Sequence, residues 1–257
     1  MRRLYRNGHV VTMDDAGTEL EGGWVLVEDG LVEATGGGAA PGADETVDLG
    51  GALVTPGLVN THHHLYQTLT RARAQEGTLF EWLTELYPVW AGIDEEAEYA
   101  AARTGLAELA LSGCSTVFDH HYVFPRGRPG LVEAEVRAAR ELGVRIVASR
   151  GSMDLGQSQG GLPPDSLVED VDSVLADTER LAALQDDGFV QIAVAPCSPF
   201  SVTTGLMRES AALARRLGLL LHTHLAETLD EEEFCRETHG CRPVEYLDGL
   251  GWLAEDV

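Results

Sequence analysis

From about residue 53 onward, short apolar runs alternate with stretches of 3.6-residue periodicity. That alternation restricts the chain to repeated βα units around a parallel sheet. The candidate strands are Leu53–Thr61, Ser115–His120, Val144–Arg150, Val190–Ser198 and Leu219–Leu225, five repeats in all. Between them the spacing predicts a helix over Glu95–Ser112, with Asp94 as N-cap and Gly113 as its stop. Further helices are expected over Leu131–Leu142 before Gly143, over Leu167–Gln185 and over Thr204–Leu217. The segment Gly151–Asp165 and the insertion Gln67–Ile93 each follow a strand, and in a βα barrel such loops build the active-site face. The beginning of the chain reads differently. Asp29-Gly30 lies between apolar runs in Trp24–Ala34, a strong hairpin signal. Residues 1–54 are therefore expected to form a small β domain, and residues 55–257 the βα domain.

Composition removes several function classes. The formal charge of -24, from 42 acidic against 18 basic residues, repels phosphate backbones and anionic lipid heads. No nucleic-acid polymer and no membrane is expected as a partner, and no run approaches the roughly 18 apolar residues of a membrane span. Every basic residue is Arg. A Schiff base, a nucleotide-phosphate lysine and a lysine carbamate bridging two metals are thereby excluded within this chain. Cys114, Cys197, Cys235 and Cys241 show no C-x-x-C spacing and read as reduced thiols rather than a structural zinc site. The basic start Met1-Arg-Arg has no apolar stretch behind it, so the expected location is the cytoplasm.

Two segments carry the chemistry. Pro56-Gly-Leu-Val-Asn-Thr-His-His-His64 ends an apolar strand in histidines, and side chains two apart on a strand share a face. His62 and His64 can grip one metal, while His63 faces elsewhere in a structural role. The second segment, Leu219-Leu-Leu-His-Thr-His-Leu-Ala-Glu227, is another apolar run closing on imidazoles and a carboxylate. His224 can supply a third neutral nitrogen, and Glu227, where the strand turns into a loop, can move protons. On spacing alone His222 and His224 form another candidate pair.

These segments resemble the amidohydrolase superfamily, in its branch of mononuclear nucleobase and triazine deaminases. Within that branch the chain is most similar to the 8-oxoguanine deaminases. The similarity is carried by Thr61-His-His-His-Leu-Tyr-Gln-Thr-Leu-Thr-Arg71, Arg150-Gly-Ser-Met153, Gly160-Gly-Leu-Pro-Pro-Asp165, Ala195-Pro-Cys-Ser-Pro-Phe-Ser201 and Arg242-Pro-Val-Glu-Tyr246. The resemblance implies an α/β fold, a (β/α)8 TIM-type barrel of which about five βα units are present, with a small N-terminal β domain. It implies that His62, His64 and His224 hold one divalent ion and that Glu227 is catalytic. Zinc suits such ligands, although iron and manganese satisfy similar ones. The branch also uses a histidine after the sixth strand and an aspartate after the eighth. The chain stops at Glu255-Asp-Val257, where a sixth strand should begin, so a truncated barrel with unpaired edges is expected.

Candidate substrate contacts follow from the same resemblance and, for Arg150 and His120, from their places at strand ends. Gln67 and Trp82 match positions that touch a heterocycle in related deaminases, and Trp82 reads equally well as a core aromatic on an amphipathic loop helix. Cys197 stands where adenosine-type relatives often carry histidine, or is a small buried hydrophobe. Arg150 ends the third strand, where it meets either a substrate carbonyl or an acid. His120, ending the second strand, is a candidate pocket residue and His121 a structural one. The implied reaction is hydrolytic deamination of a small heterocycle, an oxidised purine such as 8-oxoguanine giving urate and ammonia, by a homo-oligomer at full length. Isocytosine or hydroxytriazine aminohydrolysis is the alternative within the enzyme class, and a non-catalytic assembly protein on the same barrel is the alternative outside it.

Overall fold

The computed structural model describes residues 1–186 and 188–254. It divides the chain into two units, Met1–Leu58 and Val59–Val257. The first unit is one sheet of β1 (Arg2–Val11), β2 (Glu19–Glu28), β3 (Leu31–Gly36), β4 (Glu45–Asp48) and β5 (Leu53–Val54). Its order is β3-β2-β1-β4, with β5 also on β1. β1, β2 and β3 run antiparallel in turn, while β4 and β5 lie parallel to β1. The expected hairpin joins β2 to β3: Asp29 and Gly30 both take positive φ, 49° and 85°. Such a turn matches the right-handed twist of the strands it connects.

The apolar run expected over Leu53–Thr61 is two strands, not one. Pro56, which has no N–H to give to a ladder, separates β5 from β6 (Leu58–His63). In the second unit β6 leads into a 3-10 turn over Leu65–Thr70, then α1 (Leu79–Trp90) and α2 (Glu95–Leu111). There follow β7 (Cys114–Asp119), α3 (Leu131–Leu142), β8 (Arg145–Ser152), α4 (Val171–Ala182), β9 (Val190–Pro196), α5 (Thr204–Leu217) and β10 (Leu220–Leu221). The sheet order is β10-β9-β8-β7-β6, and the pairs β7/β8, β8/β9 and β9/β10 are parallel. This is the strand order of a curled part-barrel, with helices alternating between the strands. The expected sixth strand at Glu255–Val257 lies outside the described residues.

Local chemistry sets the helix limits. Asp94 and Asp170 accept from the backbone N–H of Ala97 and Ser173, and Gly143 and Gly218 close α3 and α5 at φ of 72° and 66°. Because Asp170 caps α4, that helix starts at Val171 and not at Leu167, whose side chain is buried in the core. Two helices after β10, α6 (Leu229–His239) and α7 (Pro243–Gly249), have no counterpart among the sequence expectations. α6 buries only Glu231 and Cys235, too little apolar surface to leave a periodic signal.

β8 and β9 are buried along nearly their whole length, as strands covered on both faces must be. Their side chains join Trp90, Leu106, Leu131 and Met153 in one core. At Gly151 the sheet closes on the segment after β7: a Cβ there would lie 2.2 Å from the carbonyl oxygen of His121. Only glycine permits that approach, and its N–H donates to the same carbonyl at 2.9 Å. Among the described residues no helix is long and apolar enough to cross a membrane.

Candidate active site

The strand ends of the second unit converge on imidazoles. His64 follows β6, and its Nδ1–H donates to the His120 carbonyl at 2.6 Å. His224 follows β10, and its Nδ1–H donates to the Cys197 carbonyl at 2.9 Å. Each ring is thereby held in the tautomer that leaves Nε2 as a bare lone pair. The two Nε2 atoms face each other at 3.1 Å, and His62 Nε2 stands 3.1 Å from that of His64. Lone pairs aimed at one another from two rings with no shared proton repel, and a cation between them reverses the sign. The spacing agrees with that reading: nitrogens about 2.0–2.1 Å from a tetrahedral ion lie about 3.3 Å apart. The donor set therefore fits a divalent metal ion.

Electrostatics prepares the same rings. Burial, then the neighbouring imidazole of His224, holds His64 well below its ordinary pKa. Burial takes His224 down to about 4, and burial with His62 does the same for His222. All three are neutral at pH 7, the state a metal ligand requires. His222 stands behind His62, its Nε2 3.1 Å from His62 Nδ1, and packs on Phe118.

The neighbouring cavity, about 260 Å³, is lined by His64, Gln67, Leu79, Trp82, Leu83, Tyr122, Cys197, Phe200, His224 and Glu227. Gln67, Trp82, Cys197 and Glu227, far apart in sequence, are thus brought together. Gln67 Nε2 lies 3.3 Å and 3.4 Å from the hydroxyls of Tyr66 and Tyr122, which orients the amide. Burial pushes the Cys197 thiol up to about 12, so it is a neutral wall and no nucleophile. Its carbonyl does more, accepting from His224 Nδ1, His224 N and the Thr223 hydroxyl. Burial, then the Glu231 charge, raises the Glu227 carboxyl above its ordinary pKa.

Two expected substrate contacts are placed elsewhere. The Arg150 guanidinium is bound by Glu169 at 2.7 Å and Asp177 at 2.7 Å and lies 3.7 Å from the Phe124 ring. Of the two sequence readings it takes the acid-paired one, and it does not line the cavity. His120 is fully buried behind the imidazoles, its ring stacked on His224 at 4.3 Å and its Nε2 3.0 Å from the Ala195 carbonyl. One nitrogen each of His62, His120 and His224 lie within 4.8 Å of one another. His120 thus belongs with the nitrogen cluster, although only its place at a strand end pointed there. His121 is anchored away from the cavity. Burial opposes its charge, but Glu98 and Glu135, with Glu135 Oε1 at 3.0 Å, outweigh burial and raise its pKa. His63 is half-buried and lines neither the cavity nor the nitrogen cluster.

Comparison with known proteins identifies the family. The amidohydrolase family pattern covers residues 53–255. The chain is 50% identical, over 98% of its length, to an 8-oxoguanine deaminase of Pseudomonas aeruginosa, and 37% identical over 99% to a hydroxydechloroatrazine ethylaminohydrolase of a Pseudomonas species. It spans 58% and 56% of the length of these two relatives. Among solved structures, an atrazine chlorohydrolase of Arthrobacter aurescens complexed with zinc superposes with a TM-score of 0.92 at 32% identity, over 99% of this chain and 59% of that one. The chain belongs to the amidohydrolase family.

Proposed function

We propose that the full-length protein is a metal-dependent hydrolytic deaminase of an oxidised purine, converting 8-oxoguanine and water to urate and ammonia. The observation that carries the reading is 50% identity to an 8-oxoguanine deaminase over 98% of the chain. His62, His64 and His224 would hold one divalent ion, with zinc the first choice because three neutral imidazoles suit it. When bound, that ion supplies the Lewis acidity that makes water a nucleophile near neutral pH.

The chain's own residues do the remaining work. The carbonyls of His120 and Cys197 fix the tautomers of His64 and His224. Glu227, with its raised pKa, takes a proton as water adds to the amidine-like ring carbon and returns one to the departing amine. Trp82 and Phe200 supply apolar walls for a planar heterocycle, and Gln67 supplies a polar contact to its edge. The neutral Cys197 thiol adds no charge to the cavity lining.

A hydroxytriazine aminohydrolase is the second reading, favoured by the 37% identity to an enzyme of hydroxydechloroatrazine. Ammonia and amine release by the full-length protein, measured across oxopurines, isocytosine and hydroxytriazines, separates the two. The first reading requires 8-oxoguanine to have the highest kcat/KM. A triazine preferred by more than about tenfold would replace it, and no turnover on any of them would favour a non-catalytic role.

A further inference from the structure

We propose that Glu231 is the positioning residue for Glu227: its buried carboxylate clamps the backbone of Ala226 and Glu227 and so decides which face the Glu227 side chain takes. The inference rests on the reading of Glu227 as the group that moves protons.

The turn after β10 needs such a clamp. Residues three apart on a continuing strand point to opposite faces. His224 and Glu227 are three apart, yet both line the same cavity. The direction is reversed at Ala226, which sits at φ 56°, in the left-handed region that a side chain with a Cβ disfavours. Something must hold it there. Glu231 Oε1 accepts the N–H of Ala226 at 2.9 Å, and Oε2 accepts the N–H of Glu227 at 2.7 Å. Each oxygen thus takes one of two successive amides, and Glu231 itself is fully buried.

Ordinary helix capping does not account for this arrangement. Glu231 is the third residue of α6 after its N-cap Thr228, the position from which a glutamate normally reaches back to the N-cap's own N–H. Two other helices of this chain do that. Glu81 accepts from Thr78 N at 2.8 Å in α1, and Glu245 from Arg242 N at 2.9 Å in α7; both N-caps are exposed. In α6 the carboxylate passes the N-cap and binds the two residues before it. The Thr228 hydroxyl still caps the helix alone, accepting from Glu231 N at 3.4 Å. The N-cap bond of α6 is made without the Glu231 side chain, whose two oxygens instead hold the loop carrying Glu227.

The test uses metal-loaded full-length protein with variants E231Q, E231A, A226G/E231A and, as reference, E227Q. E231A should lower kcat about 30-fold with KM within about threefold and bound metal unchanged, because a displaced base harms the reaction more than binding. E231Q, which keeps one acceptor oxygen, should fall between. In A226G/E231A, glycine reaches the left-handed conformation without steric cost, so about threefold or more of the lost kcat should return. A role confined to stability would lower the melting midpoint of E231A but leave kcat intact well below it. If E231A does not fold, E231Q decides: folded, metal-loaded and with kcat within about twofold of wild type, it overturns the proposal. If E227Q itself turns over normally, the reading of Glu227 fails, and the proposal with it.

Discussion

Arg150→Met separates a structural arginine from a substrate contact. The guanidinium is 2% exposed and touches both oxygens of Glu169, at 2.7 and 3.1 Å, one oxygen of Asp177 at 2.7 Å and the Gly151 carbonyl. Removing one partner of a buried pair typically costs about 3–5 kcal/mol, because the remaining charge is left desolvated. Two features place this site at the lower end. Asp177 keeps Arg180 at 2.8 Å, and Glu169, 17% exposed, recovers some water. Methionine also retains an apolar stem against Phe124. The expected loss is about 3 kcal/mol, which at roughly 2.1 cal/mol/K per residue lowers the thermal midpoint by about 4–7 °C for a cooperative unit of roughly 200–400 residues. Adding Glu169→Gln to the variant removes the orphaned charge and should restore about 1–2 kcal/mol. The assay is thermal and urea unfolding of the full-length protein beside kcat and KM on its best substrate. A midpoint within about 2 °C of wild type together with a tenfold higher KM would refute the argument and return Arg150 to the substrate.

Glu227→Gln should retain metal and lose turnover by about 100-fold or more, since glutamine keeps the shape and loses the base; steady-state kinetics beside elemental analysis check this. Elemental analysis of full-length protein should find about one tightly held divalent ion per chain, and His64→Ala or His224→Ala should abolish it; two ions at full occupancy would contradict the single-ion reading. The metal-free protein should lose stability on acidification. His222 is taken from an ordinary 6.5 down to about 4 on folding, so between those values the unfolded chain binds the extra proton and stability falls as pH falls. That imidazole contributes a loss of about 3 kcal/mol across the window, and His222→Asn should flatten the slope of urea midpoint against pH there. An unchanged slope would show that His222 is not buried neutral.

The βα alternation, the hairpin at Asp29-Gly30 and the two histidine segments were all readable in one dimension, because each depends on neighbours in the chain: a period, a turn residue, a strand ending in a ligand. Local capping made most helix limits readable too, with Asp94 and Gly143 at their expected stations. Where the reading departed, the cause was also local but weaker. Pro56 divided one apolar run into two strands, and the acidic first turn of α6 left no apolar face to detect.

Which nitrogens meet, and what surrounds them, required the third dimension. Arg150 and Gln67 both stand beside strand ends, yet one is consumed by Glu169 and Asp177 while the other faces the cavity, and no periodicity distinguishes them. The tautomers of His64 and His224 depend on carbonyls 56 and 27 residues away in sequence. A side chain's type and spacing determine what chemistry it can perform; its protonation, partners and accessibility depend on residues distant along the chain, which only the packed strands bring within hydrogen-bonding distance.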